Sequence, residues 1–391
     1  MDAIAYGGDW NPEQWDKETN RRDIERMVRA GVNLISLGIF SWASLEPEEG
    51  RYDLDWLADL IDQLHNAGIS VDLANGTASP PAWMAQRYPE TLPVDSRGVR
   101  LGFGSRQQYN PSSALFSHKA CALTEAMARR FGDHPGVVMW HIGNEYGCHT
   151  AECFCPACAQ AFRAWLGKRY GDAERLNAAW GTDFWSQRYT SLEQVAPPAA
   201  MPTFPNPAQM LDWRRFSDHQ LRSLMEAEAR ILRQRSTRPV TTNFMGDFPA
   251  TDYWRWAEAL DIISDDSYPD PADPAAAHEV AWAGDLMRGL AEGRPWILME
   301  QAPATVDVTE LRAHMLDVDG VLDVHDLHVA AVSSHLVTVT AHVTVSEDSD
   351  GPSRDRIVHQ LGECACHHFP IAHSTFQLEC PQHREHEHLE H

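Results

Sequence analysis

The chain has 391 residues, of which 43% are hydrophobic and 23% charged, enough for one large globular domain and a smaller one. A formal charge of −24 argues against nucleic acid or an anionic membrane surface as a partner and suits a neutral ligand. No apolar run reaches the roughly 18 residues of a membrane span, and residues 1–10 lack a signal's basic start and apolar core, so a cytoplasmic location is expected.

In chain order, the pattern to about residue 303 is a short apolar strand, a loop and an amphipathic helix, repeated. Strands are expected at 4–10, 32–40, 69–76, 137–145, 239–244, 261–268 and 296–300. Helices are expected at 20–30, 54–67, 118–131, 207–234 and 275–292. Such alternation implies parallel strands with crossover helices, and strands apolar on both faces agree. The fold class is therefore α/β, a (β/α)8-type barrel of which seven strand units are found and the eighth is lacking. Two strands stop on a carboxylate, at Glu145 and at Glu300. A parallel barrel presents catalytic groups at such strand ends, and a facing pair of acids is the minimal apparatus for cutting a glycosidic bond.

After Pro303 the texture changes. Helices at 307–318 and 354–368 and strands at 321–332, 336–345 and 374–379 suggest a small α+β sandwich. Histidine becomes dense, from His325 through His328, His342 and His373 to His391, and the final polar stretch 381–391 is expected to be disordered. The domains are thus drawn at 1–303, 304–380 and 381–391.

The N-terminal three hundred residues resemble the catalytic barrel of glycoside hydrolase family 42, the β-galactosidases. The resemblance is carried by Tyr6-Gly-Gly-Asp-Trp-Asn-Pro-Glu-Gln-Trp15, Gly38-Ile-Phe-Ser-Trp-Ala43, Thr77-Ala-Ser-Pro-Pro-Ala-Trp83, Trp140-His-Ile-Gly-Asn-Glu-Tyr-Gly147 and Trp180-Gly-Thr-Asp-Phe-Trp-Ser-Gln187. It implies a retaining hydrolase of β-galactosides with Glu145 as general acid/base and Glu300 as nucleophile. The two carboxyl groups must then stand about 5–5.5 Å apart. It also implies that Asn144 and Arg106 contact sugar hydroxyls and that Trp185 and Tyr268 line the site.

Cys153, Cys155 and Cys158 follow the Asn-Glu pair at a spacing that favours zinc, with Cys148 close by. By the same resemblance such a site is structural and takes a fourth cysteine from the loop after Arg106. Asn110 stands at that position here, leaving Cys148 as the substitute.

The last ninety residues resemble the cytoplasmic C-terminal domain of cation diffusion facilitators, the zinc-efflux transporters. The carrying residues are Val306-Asp-Val-Thr-Glu-Leu-Arg312, Gly320-Val-Leu-Asp-Val-His-Asp-Leu-His-Val329, Thr340-Ala-His-Val343 and His373-Ser-Thr-Phe-Gln-Leu-Glu379. This implies a ferredoxin-like, dimerising domain, with His325, His328, His342 and His373 as candidate zinc ligands, and hence a homo-oligomer. Ala330 replaces a tryptophan usual in that family. The transporter's membrane helices have no counterpart here, so metal binding without transport is expected. The chain reads as a chimera whose seam lies in 298–304, a stretch that both families can carry. The rival reading is an inert, zinc-binding dimerisation protein.

Overall fold

The computed structural model describes residues 4–269, 275–301, 308–333, 336–346, 351–369 and 371–381. The expected disorder of the C-terminal stretch and the far side of the seam at 302–304 lie outside these residues. The strands are β1 (Gly7–Trp10), β2 (Leu34–Leu37), β3 (Ser70–Ala74), β4 (Val137–His141), β5 (Val240–Thr241), β6 (Asn243–Phe244), β7 (Ile263–Ser267), β8 (Trp296–Gln301), β9 (Val321–Ser333), β10 (Leu336–Val345) and β11 (Ile371–Glu379). Apart from the adjacent β5 and β6, the first eight alternate with helices in a barrel-like α/β pattern, and the last three belong to a smaller mixed region. The expected strand 239–244 is two strands, broken at Thr242, so seven strand units become eight strands.

The chain divides into two compact units. One comprises residues 11–21 and 36–263. In it β3 and β4 pair in parallel, Leu73 opposite Trp140 and Ala74 opposite His141, and β4 pairs with β5 at Trp140–Val240 and His141–Thr241. These strands are covered on both faces, with Val71, Leu73, Val137, Trp140 and Val240 fully buried.

Its helices start where side chains satisfy the orphan N–H groups of a first turn. Ser113 caps Ala114–Phe131 by accepting from Phe116, and Asn206 caps Pro207–Arg235 by accepting from Ala208 and Gln209. Two helices that the sequence pattern did not reveal, Pro156–Tyr170 and Ala173–Trp180, enclose an aromatic core of Phe162, Trp180, Trp213 and Phe216.

The other unit comprises residues 1–10, 22–35 and 264–391. There the N–H groups of Asn33 and Leu34 donate to Tyr6 O, tying the approach to β1 to the start of β2. β9, β10 and β11 form a three-stranded sheet with β10 central, antiparallel to β9 and parallel to β11. The helices Val308–Leu316 and Gly351–His368 cover it through Leu311, Met315, Ile357 and Leu361 over Val324, Val339 and Val343. β9 also packs against β1 and β8 of this same unit.

Candidate functional site

The expected strand 137–145 ends as a strand at His141, and the next four residues form a turn. Gly143 has φ +59, and a Cβ there would meet the Tyr146 ring at 2.5 Å, so only glycine fits. Glu145 itself is left-handed at φ +43, a conformation costly for a residue with a side chain unless its surroundings hold it. They do. Its N–H donates to Asn243 Oδ1 at 2.8 Å, and its carbonyl accepts from Gln107 Nε2 at 2.6 Å.

The Glu145 side chain is buried and pairs with Arg106, Nη1 to Oε2 at 2.9 Å. Asn144 Nδ2 donates to the same oxygen at 3.2 Å. Arg106 is fixed in turn by His149, whose Nε2 accepts from Nε at 2.8 Å, and by the Phe40 ring 5.8 Å beneath its guanidinium. Arg106, Asn144 and Glu145 are therefore brought together. Trp185 is surface-exposed and stacks on Phe184 at 4.8 Å.

Beneath this cluster lie buried titratable groups. Burial pushes the Asp72 carboxyl up to about 7, against the opposing hydrogen bond from Ser36. Burial also pushes His141 down to about 4. Their 3.9 Å approach is consequently a contact of neutral groups near pH 6 rather than an ion pair. Glu228, which accepts from the Tyr146 hydroxyl at 2.8 Å, is pushed up to about 7 by its complete burial.

In the other unit, Glu300 sits on β8 and accepts a hydrogen bond from the Tyr268 hydroxyl. Asp266 on β7 brings a carboxylate oxygen within 4.8 Å of Glu300. Asp266 lies inside the expected strand 261–268 but carried no motif to single it out.

Two further groups have metal-ligand chemistry. The sulfur atoms of Cys153, Cys155 and Cys158 lie within 4.8 Å of one another, with Cys155 and Cys158 3.6 Å apart. Asn110 closes the group: its Nδ2 donates to Cys155 Sγ at 3.2 Å, and its Oδ1 accepts from Cys158 Sγ at 3.0 Å. Thiol hydrogen bonds from Cys153 and Cys158 hold Cys155 well below the ordinary thiol range. Cys148 is not in this group; it lies in the turn after Glu145, where its N–H donates to the Glu145 carbonyl. Three sulfurs at this spacing fit three corners of a zinc tetrahedron.

In the mixed sheet the group is His325, His342 and Glu379. The two histidines face each other across β9 and β10, and both approach Glu379, His342 Nδ1 at 2.9 Å and His325 Nε2 at 3.5 Å. Two imidazoles and a buried carboxylate are a donor set that zinc accepts. His373 is exposed at the other end of β11, six residues or about 20 Å of strand from Glu379. His328 pairs by backbone with Thr340, and its side chain lies outside the described residues. Glu379 was legible only as the acid closing the last strand.

A buried carboxylate in the turn after a strand of a barrel-like α/β frame, braced by an arginine and an asparagine, suits one of the two acids of a barrel glycoside hydrolase. The chain belongs to the glycoside hydrolase family 42 β-galactosidases, whose family model matches residues 9–339. A second model, the cytoplasmic domain of cation efflux proteins, matches residues 303–380, overlapping the first. A β-galactosidase of an Arthrobacter species is 47% identical over 310 residues, which cover 78% of this chain and 45% of that protein. One from Geobacillus kaustophilus is 46% identical over 308 residues, 78% of this chain and 46% of its own. The crystal structure of the β-galactosidase from Rahnella sp. R3 superposes with a TM-score of 0.75 at 41% identity, covering 78% of this chain and 45% of that one. This chain thus spans just under half the length of these relatives. The catalytic domain of a Paenibacillus polymyxa β-amylase, 13% identical, matches 96% of this chain with a TM-score of 0.57, a likeness of fold.

Proposed function

We propose that this chain is a retaining hydrolase of terminal β-galactosides. The observation that carries the proposal is the buried Arg106–Glu145–Asn144 cluster, held in a left-handed turn at the end of β4 in a family 42 framework. Glu145 protonates the glycosidic oxygen as the bond to the anomeric carbon breaks, and Glu300 attacks that carbon from the opposite face. Water, deprotonated by Glu145, then displaces Glu300 and releases galactose with its anomeric configuration retained. Asn144 and Arg106 hold sugar hydroxyls, and Trp185 lines the pocket. The Tyr268 hydroxyl donates to Glu300 and helps to orient its carboxylate.

The division at about residue 303, a (β/α)8-type barrel lacking its eighth unit, a ferredoxin-like fold for 304–380 and a cytoplasmic location belong to the same reading. Zinc at Cys153, Cys155, Cys158 and Asn110 would serve as a structural clip, outside the chemistry. The test is hydrolysis of a chromogenic β-galactoside by the wild-type chain, Glu145→Gln and Glu300→Gln. Activity that both variants abolish supports the reading; equal rates in all three reject it.

A second reading has its own observation, the His325–His342–Glu379 group. It makes the C-terminal region a zinc-binding homodimerisation module, as the cation efflux resemblance suggests. Calorimetry and sedimentation with and without zinc decide it: no heat and no change in mass remove it.

A further inference from the structure

We propose that Asn243 is the positioning residue that sets the acid/base geometry at Glu145, an inference resting on the hydrolase reading above. One side-chain amide here serves three partners. Its Oδ1 accepts the Glu145 N–H at 2.8 Å and faces His141 Nε2 at 3.1 Å, while its Nδ2 donates to Asn144 Oδ1 at 3.0 Å. The orientation of the amide is fixed by these partners. A backbone N–H needs the oxygen, and the Asn144 carbonyl needs the nitrogen. His141 must therefore carry its proton on Nε2, and it is a donor in this arrangement.

The residue is buried and stands at the break between β5 and β6, with Thr242 just before it. Its support is equally enclosed. His141 is fully buried on β4, backed by Asp72 and, through Asp72, by the Ser36 hydroxyl. From the other side Gln107 Nε2 grips the carbonyls of both Asn144 and Glu145, at 2.9 and 2.6 Å.

The physical need is plain. Glu145 has a left-handed backbone that does not persist unaided, and a shift of about 1 Å at a proton donor costs on the order of a hundredfold in rate. Asn243 holds the N–H of that strained peptide and the side chain of the residue before it. It meets the backbone N–H of Glu145 rather than its carboxyl, and acts through Glu145 and Asn144.

The experiment compares wild type, Asn243→Ala and Asn243→Asp. The first readout is amide hydrogen exchange of peptides spanning 143–147, which does not depend on catalysis. The second is kcat/KM on two aryl β-galactosides, a phenyl one whose leaving group needs protonation and a dinitrophenyl one whose leaving group does not.

Asn243→Ala is expected to exchange faster at 143–147 and to lose at least about tenfold more on the phenyl than on the dinitrophenyl substrate. Asn243→Asp keeps the acceptor, so it should keep native exchange while its loss spreads over both substrates through Asn144. Unchanged exchange in Asn243→Ala overturns the proposal, as do equal losses on both substrates in that variant. Should Asn243→Ala not fold, raised exchange in Asn243→Asp overturns it and native exchange with loss on both substrates supports it. A wild-type chain that cleaves neither substrate refutes the hydrolase reading, and exchange then decides the positioning role alone.

Discussion

Arg106 and Glu145 form an ion pair of 2.9 Å in which the glutamate is almost wholly enclosed and the arginine about a third exposed. The guanidinium uses its fork: Nη1 meets the carboxylate while Nε donates to His149. A lysine could supply the charge but not both contacts. Arg106→Lys should therefore lower kcat/KM about tenfold to a hundredfold, the worth of one charge-assisted hydrogen bond, with thermal stability nearly unchanged. Steady-state kinetics beside a melting curve checks this.

Glu228 gives a pH signature. Its native carboxyl is pushed up to about 7 by burial, whereas an unfolded glutamate titrates near its ordinary value of about 4.3. Between these values the native state keeps a proton that the unfolded state has released. Stability from this group is thus greatest below the lower value and is lost as pH rises toward 7. Glu228→Gln, which can still accept from Tyr146, removes that dependence. The stability of wild type relative to the variant should fall by up to about 1.4 kcal/mol per pH unit across this window. Denaturant melts at pH 5, 6 and 7 measure it, and parallel curves would falsify the assignment.

The sequence made the strands and the Asn144–Glu145 site legible because apolar runs and a dense motif carry them. Glu145 was found at a strand end; the structure puts it in a turn, and the motif survives that shift since it is a property of the residues themselves. Asn243, Gln107 and Asp266 were not legible. Each is a single polar residue on a short strand or loop, and its meaning lies in partners up to a hundred positions away. Asn110 showed the opposite case: it was noticed as a departure from a cysteine, and it does close the thiol group. Glu379, rather than His373, stands with His325 and His342, because His373 lies at the other end of the strand.

Asn110 now offers a direct trial of the thiol cluster. Asn110→Cys replaces an amide oxygen with a soft thiolate at the fourth corner. Zinc should rise to about one per chain and resist a chelator that strips the wild type, with a higher melting temperature in the metal-loaded form. Zinc content by atomic emission reads the result. Cys153→Ser in the same background should lose the metal; unchanged content in both variants would show that the cluster is four hydrogen-bonded side chains without a metal role.

The last prediction concerns β9. A parallel barrel of seven strand units has an open edge on either side of the missing one, and exposed edges carry unpaired donors and acceptors. β9 packs against β1 and β8, the two strands that would flank such a gap, and its own outer edge is held by β10. β8 carries Glu300. β9 is therefore expected to cover that edge. A chain ending at residue 301 should lose this cover and melt at least about 5 °C lower, or fail to stay soluble, since each 100 Å² of apolar surface left uncovered costs about 2.5 kcal/mol. Hydrogen exchange on the full chain refines the test. Arg312 anchors the start of β9, donating to the Val324 carbonyl at 2.8 Å and pairing with Asp323. Arg312→Ala should raise exchange in peptides of β1 and β8 along with that of β9, because the strands stand or fall together. Faster exchange confined to β9 would mean that β8 holds Glu300 without help from the appended sheet.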